Sequence, residues 1–219
     1  MNGYSPQEIS THAVTNTLAG KTISDAIAFT YQLEGHEFYV VTFPTLDLTW
    51  VYDAATQLWH KWLAVDSYNV YHRHRANCQC LFMGQILVGD YLNGAIYAVS
   101  KDVYTDNGVT IRRLRRCPHL VADFNQQFFN LLQIQFQPGV GLTFGQGQDP
   151  QAMLRWSNDG GSTWSNEHWK SIGKIGKYRN RIIWRRLGSA RDRVFEVVVT
   201  DPVKAVIVSA NLDANAGDT

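Results

Sequence analysis

The chain has 219 residues, 20 basic and 19 acidic, giving a net charge of +1, with 12% aromatic and only 18% charged side chains. That is room for one large domain or two modest ones with a sizeable core, and it excludes a disordered, highly charged chain. No apolar run approaches the ~20 residues a membrane helix needs, so no membrane partner is expected.

Met1-Asn2-Gly3-Tyr4 has neither the basic nor the apolar part of a secretory signal. Three cysteines, Cys78, Cys80 and Cys117, are too few and too oddly numbered for a disulfide framework. The sequence therefore points to synthesis in a reducing cytoplasm. In chain order, Ser5-Pro6-Gln7-Glu8 reads as an N-cap with proline at the first helical position. Ile9, Ala13, Val14 and Leu18 then share one face and Gly20 offers a stop, so a short amphipathic helix is predicted within residues 1–21.

From Ala26 the pattern is that of strands. Ala26–Leu33 and Glu37–Phe43 flank a turn at Glu34-Gly35-His36. Thr49–Tyr52 leads through Asp53-Ala54-Ala55-Thr56 to Leu58–Trp62. A similar aromatic-rich set follows: Cys78–Met83, Ile86–Tyr91, a turn at Asn93-Gly94, and Ala95–Val99. Each set has short strands and a turn containing aspartate, as propeller blades do. Residues 22–118 are therefore predicted to be propeller-like, although two blades fall short of the roughly four that closure needs.

Beyond Arg116-Cys117-Pro118 the character changes. Leu132, Ile134 and Phe136 alternate with Gln133 and Gln135, a half-buried strand. Strands are also predicted at Ala152–Ser157, Arg181–Leu187, Val194–Thr200 and Val203–Ala210, the last two broken at Asp201-Pro202, with a frayed tail from Ala214. Residues 119–219 thus read as a β-sandwich, and the whole chain as all-β.

Within the sandwich, Ser157-Asn158-Asp159-Gly160-Gly161-Ser162-Thr163-Trp164 fits S-x-D-x-G-x-T-W, the Asp box. Asp159 can accept from nearby backbone N–H groups, and Gly160 and Gly161 can take positive φ without steric cost. Trp164 supplies an apolar anchor. The motif specifies a turn built from Ser157, Asp159, Gly160, Gly161, Thr163 and Trp164, and no catalytic group.

Charge is unevenly spread. Residues 1–110 hold 5 basic and 10 acidic side chains, residues 111–193 hold 14 and 5, and the remainder 1 and 4. Arg112, Arg113, Arg115 and Arg116 follow a turn at Asp106-Asn107-Gly108. Lys174, Lys177, Arg179, Arg181, Arg185, Arg186, Arg191 and Arg193 follow the Asp box, interleaved with Trp169, Tyr178 and Trp184. Arginine with aromatics suits a protein interface, and also a nucleic-acid backbone. The absence of a nucleic-acid fold signature favours an interface formed by Arg179, Arg181, Arg185, Arg186, Arg191 and Arg193. It leaves only sequence-independent contact with DNA open.

His72/His74, Cys78/Cys80 and Cys117/His119 raise the question of zinc, but one-residue spacings differ from the usual C-x2-C knuckle, so neither metal nor other cofactor is expected. Asp boxes recur in sialidase-type propellers, and Tyr178 lies near Arg179 and Arg181. Glycoside hydrolysis needs carboxylates flanking the scissile bond. Asp123, Asp149, Asp159, Glu167 and Asp192 form no evident pair, so no catalytic residue is assigned. The alternative reading is an Asp-box carbohydrate-binding or glycoside-hydrolase module.

The run Met153–Trp164, then Ile172-Gly173-Lys174-Ile175-Gly176-Lys177-Tyr178, Arg181–Arg193, Val194-Phe195-Glu196 and Thr200-Asp201-Pro202-Val203, resembles the packaged-DNA stabilisation proteins, tail-hub proteins of short-tailed bacteriophages. Gly35-His36, Phe38-Tyr39, Thr49–Asp53, Trp59 and Gly89-Asp90-Tyr91 also fit that family. Its members are longer, so the resemblance implies that the chain corresponds to their C-terminal half. The resemblance implies a non-enzymatic virion protein of the tail hub that closes the portal and retains packaged DNA. The implied partners are the portal–adaptor ring, the tail needle and the tailspikes, with a homo-oligomeric ring in the full-length protein.

Overall fold

Glycine and aspartate at strand ends set the layout of both halves of the molecule. A computed structural model describes residues 5–66, 68, 70–123 and 125–217, and the chain divides into two compact units, Met1–Lys101 and Asp102–Thr219. In the first, α1 (His12–Leu18) precedes β1 (Ile27–Leu33), β2 (His36–Phe43), β3 (Leu48–Asp53), β4 (Leu58–Lys61), β5 (Leu63–Val65), β6 (Tyr71–Arg73), β7 (Ala76–Phe82), β8 (Gln85–Asp90) and β9 (Ile96–Ala98). Strands β1–β4 form one antiparallel meander, β5–β6 a hairpin and β7–β9 a second meander. The β1–β2 and β7–β8 hairpins turn on Glu34-Gly35 (φ 52° and 81°) and Met83-Gly84 (φ 48° and 76°). Two successive positive-φ residues give the turn whose twist matches the strands it joins.

The period of two along each strand divides the first meander into two apolar faces. Tyr31, Val40 and Val51 lie on one, packed with Ile86 of the second meander and with Trp62. Val41, Phe43 and Trp50 lie on the other, covered by Val14 and Leu18 of α1. An aspartate closes each meander. Asp53, at the end of β3, accepts from Ala55 N at 3.0 Å and Thr56 Oγ1 at 2.8 Å and meets His36 Nδ1 at 2.9 Å. Burial opposes its ionisation, but these partners hold its carboxyl below the ordinary range. Asp90, at the end of β8, accepts from Leu92 N at 2.7 Å and Arg75 Nη1 at 3.2 Å.

The helix is shorter than the sequence predicts. It starts after Thr11, whose side chain accepts from Val14 N, rather than at Pro6. The Ile9 carbonyl, which a longer helix would use internally, instead accepts the Trp59 indole N–H at 2.9 Å. A tertiary bond outcompetes the local signal.

The second unit comprises β10 (Thr105–Asp106), β11 (Val109–Thr110), β12 (Arg113–Arg116), β13 (Leu120–Val121), β14 (Gln127–Phe136), β15 (Gln151–Ser157), β16 (His168–Ser171), β17 (Ile182–Arg185), β18 (Ser189–Ala190), β19 (Asp192–Val199) and β20 (Ile207–Ala216). One sheet runs β12-β19-β15-β16, with β13 also on β19. The other has β14 between β20 and the pair β17 and β18. Phe129, Leu132, Ile134 and Phe136 of β14 face Leu154, Phe195, Val197 and Val199 across the core. A bulge at Asn130 lets Phe129 and Leu132 share the inner face despite their odd spacing.

Three expectations are corrected. The division falls at Lys101/Asp102 rather than at 118, because β12 pairs with β19 and so belongs to the sandwich. The residues from Ala214 are not frayed through Ala216, which pairs with Gln127; the final two lie outside the described residues. The last long strand begins at Ile207 rather than Val203, and it lies in the opposite sheet from β19.

His72 gives the first unit a pH dependence. Its ring nitrogens lie 2.7 Å from Asp47 and 3.4 Å from Asp66, joining the β2–β3 turn to the β5–β6 hairpin. Asp47 first, and Asp66 with it, raise its pKa above 6.5. A pKa higher in the folded than in the unfolded state makes this contribution complete below pH 6.5, and it is lost as pH rises through the folded value. Thermal melts across neutral pH should show that alkaline loss, and His72→Gln should remove it while lowering stability on the acid side.

Candidate functional site

The Asp-box turn is built by the side chains of its own motif. Ser157 is buried; its hydroxyl donates to Asp159 Oδ1 at 2.6 Å and accepts from Gly161 N at 2.8 Å. Asp159 in turn accepts from Thr163 N at 2.8 Å and Thr163 Oγ1 at 2.6 Å. Gly160 and Gly161 stand at φ 71° and 101°, which l-residues with a Cβ avoid. Ser157, then Thr163, hold the Asp159 carboxyl far below its ordinary range.

The turn delivers Trp164 to a charged layer on the outer face of the β12-β19-β15 sheet. The register sets Glu196 of β19 directly between Arg116 of β12 and Arg155 of β15. Glu196 is 0% exposed, with Arg116 Nη2 at 2.6 Å and Arg155 Nε at 2.6 Å. Both guanidinium groups lie 4.7 Å from the Trp164 ring. The Trp164 indole N–H donates to Gly161 O at 3.0 Å, fixing the ring on its own turn. A fully buried carboxylate is tolerated here because two cations and an aromatic lid replace water.

Arg193 lies on the other face of β19 and is corrected from the expected surface series: it is 1% exposed. Its guanidinium donates to Asn158 Oδ1 at 2.7 Å, Leu187 O at 2.6 Å and Ser189 O at 3.2 Å, and sits 4.5 Å from the Phe129 ring. Burial pushes its pKa down to about 10. The other expected interface residues, Arg179, Arg181, Arg185, Arg186 and Arg191, are exposed.

Arg185 and Arg186 border an open pocket of about 630 Å³ between β16 and β17, where Trp156, His168, Trp169 and Trp184 also line the wall. Trp156 and His168 stack at 4.7 Å, and the Trp184 indole N–H donates to His168 O at 2.9 Å, joining the two sheets. Glu167, at the rim, accepts from the Trp169 indole N–H at 3.2 Å. Tyr178 packs across Gly139, where an added Cβ would fall 2.6 Å from its ring.

The remaining candidates are engaged separately. His119 meets Asp192 at 2.8 Å, Cys117 Sγ accepts from Phe195 N at 3.0 Å, and His74 Nδ1 accepts from Ala76 N at 3.2 Å. Among the described residues, no group of three or more His, Cys, Asp or Glu is placed to hold a metal ion. The sequence reading missed Glu196 and Asn158. The signal for Glu196 was present: an acid between Phe195 and Val197 in a predicted strand needs a buried cation.

Two substitutions test this arrangement. Arg193→Lys should destabilise the sandwich by about 2 kcal/mol in denaturant melts, since one ammonium cannot reach three divergent acceptors. Asp159→Ala should lower the melting temperature by about 4 °C, the scale of one lost turn interaction. Because the Asp159 pKa is depressed on folding, its contribution persists above the ordinary carboxylate range and falls away only as pH drops through the lowered folded value.

Comparison with known families matches both units. Residues 1–104 match the model described as bacteriophage P22 Gp10, beta-propeller, and residues 109–215 the one described as bacteriophage P22 Gp10, beta-sandwich. No curated protein sequence matches the chain. No helix among the described residues is long and apolar enough to cross a membrane. With both units matched in series, the chain belongs to the bacteriophage P22 Gp10 family of phage structural proteins.

Proposed function

We propose that the chain is a structural component of a phage tail hub, made in the host cytoplasm and carried in the virion tail, that helps close the portal and retain packaged DNA. The observation that carries this reading is the family match over both units. The exposed arginines of the sandwich supply the docking chemistry. Arg179, Arg181, Arg185, Arg186 and Arg191 face solvent; of the acids near the Asp box, Asp159 is held by the turn, Glu196 by Arg116 and Arg155, and Asp192 by His119, which leaves Glu167 on the pocket that Arg185 and Arg186 border. A surface on which five exposed arginines outnumber the nearby free acid favours an acidic partner, here the portal–adaptor ring or another copy in a homo-oligomeric ring, with needle and tailspike proteins attached to the completed hub.

The reading assigns no catalytic step. Glycoside hydrolysis needs two carboxylates about 5–10 Å apart across a sugar site. The carboxylate on the aromatic pocket is Glu167, at its rim.

Charge reversal of Arg185 and Arg186 to Glu tests the docking surface, because both are exposed and outside the core. The variant should melt like the wild type but bind the portal–adaptor ring at least tenfold more weakly at low salt. The gap should narrow at 1 M salt, where the screening length is ~3 Å. A gel shift with duplex DNA, run in parallel, separates the docking surface from a DNA-binding one. Unchanged ring binding together with lost DNA binding would reject the protein interface.

A further inference from the structure

The pocket beside Arg185 and Arg186 is bounded by strand edges rather than by a sheet face. Residues 167–170 and 183–187 line it without a break. Successive side chains of a strand point to opposite faces, so an opening that meets every residue of a run lies along its edge. β16 ends one sheet of the sandwich and β17 the other, and among the described residues no strand covers either edge.

The two edges differ in what they offer. On β16, Ser171 O accepts from Asn180 Nδ2 at 2.9 Å and His168 O from the Trp184 indole N–H at 2.9 Å. On β17 the edge is open. Arg186 N donates to Asn130 O of β14, so the trans peptide turns the Arg185 carbonyl the other way. Alternation along the strand then directs the N–H and C=O groups of both Ile183 and Arg185 away from β14. Around this edge stand Lys170, Arg185 and Arg186 against one acid, Glu167, and the Trp169 ring is 57% exposed.

We propose that β17 receives an extended acidic segment of a partner protein as an added strand, paired with the backbone of Ile183 and Arg185. This deepens the docking reading of Arg185 and Arg186 and rests on it. Unpaired edges are templates for pairing, and cations along them turn away a second basic edge while drawing an acidic one. Arg185 is exposed and Trp184 buried, so the strand has a cationic outer face and an aromatic inner one. The segment that matches carries carboxylates on one face and apolar side chains on the other. β17 has four residues and is followed by Arg186 at φ 57°, so the added strand is short and its pairing reversible.

The probe is a synthetic heptapeptide alternating glutamate and valine, with a lysine–valine counterpart, titrated into the intact chain. Tryptophan fluorescence should show the acidic peptide binding about tenfold more tightly than the basic one. At saturation, hydrogen exchange at the Ile183 and Arg185 amides should slow several-fold. Ile183→Pro removes an outward N–H without breaking a bond to β14, whereas Ile183→Ala keeps that N–H. The proline variant should therefore bind the acidic peptide about tenfold more weakly than the alanine variant. Binding with unchanged exchange at these two amides, or equal binding by the two variants, overturns strand addition. So does a wild type that fails to bind the acidic peptide at millimolar concentration. None of these results touches the docking reading, which fails separately if the Arg185 and Arg186 reversal binds the portal–adaptor ring like the wild type.

Discussion

Glu196 sits where the sandwich can least tolerate it: at the centre of a sheet, with no access to water. An unpaired carboxylate there would cost several kcal/mol, so the strands on either side must each bring a cation. Arg116 and Arg155 do so from matching register positions, and the condition binds three strands at once. A one-residue slip of β19 would turn the carboxylate into the apolar core beside Phe129 and Leu132 and carry Arg193 to the outer face. That makes the ion triad a device for register more than for net stability, since a buried triad returns little beyond its desolvation cost.

The Asp box takes its place within this constraint. The two arginines around one acid leave an excess positive charge, and Trp164 lies over both guanidinium groups as a polarisable lid. Ser157, Asp159 and Thr163 fix the turn that holds the lid, while Asn158 in the same turn reaches back to Arg193 beneath the sheet. One eight-residue motif therefore attends to both buried charges of β19. A turn sequence with no catalytic group thus has a structural task at Ser157, Asn158, Asp159, Thr163 and Trp164.

Much of this was legible in the residues. The hairpin at Glu34-Gly35, the alternation of Leu132, Ile134 and Phe136, and the Asp-box turn follow from local chemistry, and each stands close to where the spacing predicts. The helix start did not follow, because the Trp59 bond to the Ile9 carbonyl joins residues far apart in sequence. Nor did the tail, whose pairing with β14 depends on a strand some eighty positions earlier. Arg193 read as one of a surface series because composition cannot separate inward from outward arginines. Only its place in β19, with two carbonyls, an amide and an aromatic ring around it, decides the matter.

The two units solve the same problem with different means. The first has few charged side chains in its sheets and covers its faces with apolar groups, one meander against the next and α1 against Val41 and Trp50. Its aspartates are confined to strand ends, where they close turns. The second brings charge into the sheet itself and then neutralises or encloses it, leaving further arginines on the outside. Specific docking follows more readily from the second arrangement. Arg185 ends β17, paired with Leu131 of β14, and Arg186 N donates to Asn130 O, so an acidic partner would meet both guanidinium groups on backbone that is already ordered.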